Sequence, residues 1–450
     1  MFRRSLLLSL LMPYAVDAEV RLPAIFGSHM VVQRGAELPV WGWAAPNEEV
    51  TVQFDNHRAT TKADAEGRWR VKLPALEFDR ESHKLTVRGS NTIELTDILI
   101  GDVWLGSGQS NMEWPLRATQ NGAAAVAAAD HPRIRLFHVP KVQAKEPAED
   151  LKAEWKVCTP TTVAQFSAVL YYFGRRLEKE LDVPIGLINS SWGGSPIEPW
   201  TITRNSSGAM YNGMIAPLIP FPIAGVIWYQ GETNVMQRNG MKYRDKMEDL
   251  ISGWRRAWDK NFPFYFVQIA PWQPKDRSRG YAEGELPALW EAQAAALKIP
   301  GTGMVVTTDL VDNIEDIHPQ NKLDVGNRLA LWALAKTYDR RNLVYSGPLY
   351  KSMSVEGDKI RLHFAHVGSG LASRDGKPLT EFEIAGDDDQ FVAADAVIEG
   401  DTVVVSSPTV KQPTQVRFGW RTTANPNFMN KEGLPASPFR TKGWRGGTGE

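Results

Sequence analysis

The 450-residue chain reads as α/β: a doubly wound, mostly parallel open sheet over residues 97–342, with an N-terminal β-sandwich at 19–96 and a small C-terminal β domain at 343–450. Three observations predict this. Short, almost continuously apolar runs recur through the middle of the chain, as parallel strands covered on both faces require. Between them lie stretches whose apolar residues fall at intervals of three and four, the helical spacing. Towards both ends the period drops to two, which marks strands with one face in water.

The first residues have a different character. Arg3 and Arg4 precede an apolar run from Leu6 to Met12 and small residues up to Ala18. That layout predicts a signal peptide (1–18) cut after Ala18, and a periplasmic or secreted product. The competing reading, an uncleaved buried strand, leaves the Arg pair unexplained. The run is too short to span a bilayer and nothing later approaches that length, so no membrane partner is expected after cleavage.

Within 19–96, Val50, Val52 and Phe54 alternate with polar residues, as do Trp69, Val71 and Leu73 with Arg68, Arg70 and Lys72. Asp64 to Gly67 supplies the turn chemistry between such strands. From 97 onward the strand candidates are Ile98–Leu105, Ile185–Ile188, Val226–Tyr229, Phe264–Val267 and Met304–Val306. Helical spacing links Phe166, Val169, Leu170, Phe173 and Leu177, and again Tyr243, Met247, Leu250, Ile251 and Trp254. Period two returns in Ile360, Leu362 and Phe364, in Thr402 to Val405, and in Val416, Phe418 and Trp420.

Composition narrows the function. A net charge of -1 without a Lys/Arg-rich run offers no footprint for nucleic acid. The single Cys158 excludes an internal disulfide and a multi-Cys metal site. Sixteen Trp and eleven Tyr supply faces that stack on sugar rings, although most are expected in the core.

In an open α/β sheet, function collects where strands end. The first run ends in Gly106-Ser107-Gly108-Gln109-Ser110-Asn111-Met112, a small-residue turn that exposes a serine where a helix begins. A nucleophile there has open access and a helix N-terminus that favours developing negative charge; taken alone, a helix-capping serine fits equally. The second ends in Ser191-Trp192-Gly193-Gly194-Ser195-Pro196-Ile197-Glu198, whose glycines let backbone N–H groups approach an oxyanion, or simply form a turn. The third ends in Trp228-Tyr229-Gln230-Gly231-Glu232-Thr233-Asn234, where the Gln230 amide is a further candidate donor. Late in the α/β region stands Asp316-Ile317-His318-Pro319, a histidine with a carboxylate two residues before it, suited to a general base held in one tautomer. Four such features in chain order, each at a strand end, point to a hydrolytic site.

These four blocks, together with Tyr211–Leu218 and Asn430–Arg440, closely resemble the sialate O-acetylesterase family of SGNH hydrolases, over nearly the whole chain after residue 18. The resemblance implies an SGNH-type sheet and hydrolysis of carbohydrate O-acetyl esters without a metal or organic cofactor. It implies Ser110 as nucleophile, His318 as base, and the Ser110 N–H, Gly193 or Gly194, and Gln230 as oxyanion donors. The family generally has Asp three residues before His, a position held here by Glu315. Asp316 is therefore the expected third member, with Glu315 or a backbone carbonyl as substitutes and Asp309 and Asp312 as more distant candidates. An insertion carried by many longer members between the second and third blocks is absent from the short Thr201–Met210 stretch. The implied partner is an O-acetylated carbohydrate, either sialic acid or a plant polysaccharide such as xylan or xyloglucan. Trp114, Trp192, Trp200, Trp228 and Trp272 are equally candidates for a sugar platform and for core. A noncatalytic carbohydrate-binding protein is the rival class, and peptidase or lipase action a more remote one.

Overall fold

The computed structural model describes residues 19–275 and 284–447, so the predicted signal peptide lies outside the described residues. The main path of the central sheet uses β1 (Thr92–Gly108), β2 (His131–His138), β3 (Trp155–Cys158), β4 (Ile185–Ser191), β5 (Gly225–Tyr229), β6 (Phe264–Val267) and β7 (Thr302–Val305), in the order β7-β6-β5-β1-β4-β2-β3. All neighbours are parallel except β3, which runs against β2. The flanking regions add small antiparallel ladders.

The strands are apolar because they are covered on both faces: β5 and β6 are buried at every residue. Helices α2 (Ala168–Leu181) and α6 (Lys322–Trp332) pack on one another, as do α4 (Tyr243–Trp258) and α5 (Glu285–Ala295). The α2–α6 contact is close enough that a Cβ at Gly326 would meet Tyr172 and the backbone of Phe173 below 3 Å. Local signals set the helix ends. The Ser167 hydroxyl accepts from Leu170 N–H to start α2, which closes on Asp182 in the left-handed region, and Asn321 caps α6 through Asp324 N–H.

β1 is where the flanking and central regions meet. Its first residues pair antiparallel with His83–Arg88, which continues into Glu49–Phe54 and His57–Lys62, while Val31–Gln33 joins it in parallel. The boundary expected at 96/97 thus falls inside one continuous strand. A single hydrophobic core runs from Val20 to Leu349, and a second gathers residues from Tyr350 to Phe439 among the C-terminal ladders.

β4 and β5 lie on either side of β1, so the strand order reverses around β1, and the carboxyl ends of these three strands open at that switch point. Among the described residues, no helix is long and apolar enough to cross a membrane, and no group of three or more His, Cys, Asp or Glu is placed to hold a metal. Cys158 is buried, which pushes its thiol up to about 12.

Candidate active site

Ser110 opens the four-residue helix α1 (Ser110–Glu113) directly after β1. The turn depends on Gly108, whose φ of +134° favours glycine and whose Cβ, if present, would lie 2.1 Å from the Tyr229 carbonyl oxygen. This approach lets Gln109 N–H donate to that same carbonyl at 3.0 Å and seats the serine at the end of β5.

His318 arrives from the loop between β7 and α6. Its Nε2 is 2.9 Å from Ser110 Oγ, and its Nδ1 is 3.2 Å from Asp316 Oδ1. The same carboxylate oxygen accepts the His318 backbone N–H at 2.9 Å, so one short turn holds both residues. With Nδ1–H directed at Asp316, Nε2 is left to accept the Ser110 hydroxyl proton. Trp114 stacks on the His318 ring with centroids 4.7 Å apart. Burial lowers the His318 pKa, the positive Lys322 lowers it further, and Asp316 opposes both. The net effect disfavours the protonated ring.

The other candidate carboxylates sit elsewhere. Asp309 takes both arms of the Arg328 guanidinium at 2.7 and 2.6 Å, Glu315 pairs with Lys275 at 2.9 Å, and Asp312 accepts the N–H of Asn313 at 3.0 Å.

Gly193 lies beside the serine: a Cβ built on it would be 3.4 Å from Ser110 Cβ. Its N–H donates to Glu113 Oε2 at 2.6 Å, while Glu113 Oε1 pairs with Lys141 at 2.5 Å. Gly194 is exposed, with nothing within 4 Å of its Cβ direction.

Gln230 differs from the expectation. It is fully buried, and its Nε2 lies 3.0, 3.2 and 2.8 Å from Gln109 Oε1, the Ser195 carbonyl and Asn234 Oδ1. An amide nitrogen has two hydrogens, so none remains for a substrate oxygen. Gln230 instead ties the three strand-end loops together.

The aromatic candidates also separate. Trp200 and Trp228 are core, Trp272 donates to the Glu315 carbonyl at 3.3 Å, Trp114 stacks on His318, and Trp192 lies 6.0 Å from the Lys141 ammonium.

Sequence reasoning passed over Glu113, Lys141 and the Asn111–Glu232–Lys322 group. Asn111 and Glu232 stood inside the motifs, but nothing in their spacing shows that they meet. Lys322 carried one legible signal, a charge at the start of a helix that buries an apolar stripe.

Comparison with known proteins identifies the family. Residues 100–335 match the model of the carbohydrate esterase family described as sialic acid-specific acetylesterase. The human sialate O-acetylesterase is 30% identical over 426 residues, covering 80% of each chain, and that of Pongo abelii is 28% identical over 507 residues, covering 96% of each. A crystal structure of a carbohydrate acetylesterase from Xanthomonas citri superposes with a TM-score of 0.90 at 42% identity, over 95% of this chain and all of that one. The chain thus belongs to the sialic acid-specific family of carbohydrate acetylesterases and is a carboxylic ester hydrolase.

Proposed function

We propose that the protein is a serine esterase that removes O-acetyl groups from carbohydrates through an acetyl-enzyme. Ser110 serves as nucleophile, His318 as general acid–base, and Asp316 as the group that orients the histidine. The observation that carries this reading is the 2.9 Å contact between Ser110 Oγ and His318 Nε2, with Asp316 on the opposite ring nitrogen.

As Ser110 Oγ bonds to the acetyl carbonyl carbon, its proton passes to His318 Nε2 and the carbonyl electrons move onto oxygen. The Ser110 N–H, which has no intrahelical acceptor in the first turn of α1, and the Gly193 N–H beside it are the donors for that oxyanion. Glu113 has to release the Gly193 N–H for this to occur. Collapse breaks the bond to the sugar oxygen, which leaves with the proton from His318. Water then adds to the acetyl carbon, giving one proton to the same nitrogen, and a second collapse breaks the bond from that carbon to Ser110 Oγ, which takes the proton back as acetic acid departs and ionises to acetate in solvent.

The partly exposed indole of Trp192, on the loop that carries Gly193, suits a sugar leaving group. The family points to O-acetylated sialic acid, and acetylated plant polysaccharide is the second substrate class to be assayed. The N-terminal pattern supports export to the periplasm or medium.

The test is acetate release from 4-nitrophenyl acetate, O-acetylated sialic acid, acetylated xylan and acetylated xyloglucan, for wild type and Ser110→Ala. Wild type is expected to turn over, and the variant to lose at least about 10³-fold. Equal rates in the two would overturn the reading. The ranking of the three carbohydrates decides the substrate class.

A further inference from the structure

Beneath Ser110 and His318 lies a buried polar group that the reaction, as written above, does not use. Lys322, the first residue of α6, is 1% exposed. Its Nζ donates to Asn111 Oδ1 and lies 5.8 and 5.5 Å from the ring centroids of Trp114 and Tyr229. Asn111 follows the nucleophile in sequence. Its Nδ2 donates to Glu232 Oε1 at 2.6 Å and to the carbonyl of Ile317 at 3.0 Å, and Ile317 immediately precedes the base. Glu232, at the start of α3 (Glu232–Met236), is also buried.

One amide therefore links the nucleophile turn, the β5 loop and the peptide that carries His318, and Lys322 holds the far side of that amide. Burying an ammonium and a carboxylate is expensive, and a pair of apolar residues would stabilise the fold at least as well. The arrangement is better explained by what it does to its neighbours.

We propose that Lys322 is a positioning residue for the esterase reaction: through Asn111 it fixes the main chain that carries His318, and its charge acts on the His318 ring, which stacks on the same Trp114 indole. This rests on the reading of His318 as the base. The charged groups that act on the ring are Lys322 from α6 and Asp316 from its own loop. Among them Lys322 is the cation that opposes protonation of the imidazole, and Asp316 favours it. Burial pulls the Lys322 ammonium down to about 7, with Glu232, Asp312 and Asp316 working the other way. At pH 7 the ammonium is therefore about half charged, and its charge grows as pH falls through the range where His318 would otherwise take up a proton.

The experiment is the pH dependence of kcat/KM for 4-nitrophenyl acetate in wild type, Lys322→Met and the doubly neutral Lys322→Met/Glu232→Gln, with Ser110→Ala alongside. Wild type should show an acid limb below the ordinary imidazole value of 6.5. Both Lys322 variants should move that limb up by about one pH unit and lower kcat about tenfold, with KM changed less than about twofold. The double variant leaves no orphaned buried charge, so it decides the matter if the single one does not fold. A wild-type limb at or above 6.5, or a folded variant whose limb coincides with wild type, overturns the proposal. If Ser110→Ala keeps full activity the esterase reading itself falls, whereas loss in Ser110→Ala with coincident limbs removes only the role of Lys322.

Discussion

A carboxylate oxygen 2.6 Å from the Gly193 N–H occupies a donor that the tetrahedral intermediate is expected to use. A hydrogen bond to a charged acceptor contributes about 1.5–3 kcal/mol and one to a neutral acceptor about 1 kcal/mol, so under the proposed mechanism Glu113 in this position opposes the chemical step. Glu113→Gln keeps the shape and weakens the contact. It is expected to raise kcat/KM for 4-nitrophenyl acetate by about three- to tenfold, as measured by steady-state kinetics at pH 7.5. A fall instead would mean that Glu113 and Lys141 hold the 192–195 turn in place and that this positioning outweighs the competition. At this scale the motifs named Ser110, His318 and Asp316, and the fold brings these three side chains together. The surroundings of Gln230 were not legible, because an amide in a loop looks the same in sequence whether it faces a substrate or, as here, three internal acceptors. Glu113 was invisible for the converse reason: a glutamate on a short helix gives no sign of which backbone N–H it will reach.

Among elements, the apolar runs gave β1, β4, β5, β6 and β7 their approximate positions. β2 was missed, since its sequence holds Arg133 and Arg135; Arg135 is buried only because its guanidinium lies 2.6 Å from Asp97 on β1, a pairing across 38 residues. Helix α5 left no amphipathic signature because nearly all of it is buried, which removes the polar stripe that reveals a helix. The change of texture near residue 97 is also instructive. In β1 the exposed–intermediate alternation of its first residues gives way to continuous burial from Ile98 without any break in the strand. The sequence change reports where a second face becomes covered, and a covered face need not begin a new domain. The same strand end allows a sharp test. Gly108 pairs directly with Tyr229, and its φ and its 2.1 Å Cβ clearance leave no room for a side chain. Gly108→Ala should force β1 and β5 apart, costing about 3 kcal/mol or more in chemical denaturation and separating Ser110 from His318. Wild-type stability with wild-type kcat in this variant would show that the turn has an alternative backbone.

Across the whole molecule, the C-terminal ladders have their own core yet contribute polar groups to the central one. Glu291 on α5 is 2% exposed and accepts from Arg440 Nε at 3.1 Å and from the Arg445 N–H at 3.1 Å, and Gln268 at the end of β6 exchanges hydrogen bonds with Ser437 at 3.0 and 3.1 Å. These contacts join residues 149 to 169 positions apart, which is why no local pattern announced them. Removing one partner of a buried ion pair costs about 3–5 kcal/mol, because the other charge is left without its counterpart. Arg440 is 36% exposed and can recover water, so the lower end, about 3 kcal/mol, is expected for Glu291→Ala. If the two cores melt as one unit, calorimetry of this variant should show a single transition at lower temperature, with kcat at 25 °C close to wild type. Two separated transitions, with only one displaced, would show that the C-terminal ladders unfold on their own and that the contacts to α5 do not couple them to the sheet carrying Ser110.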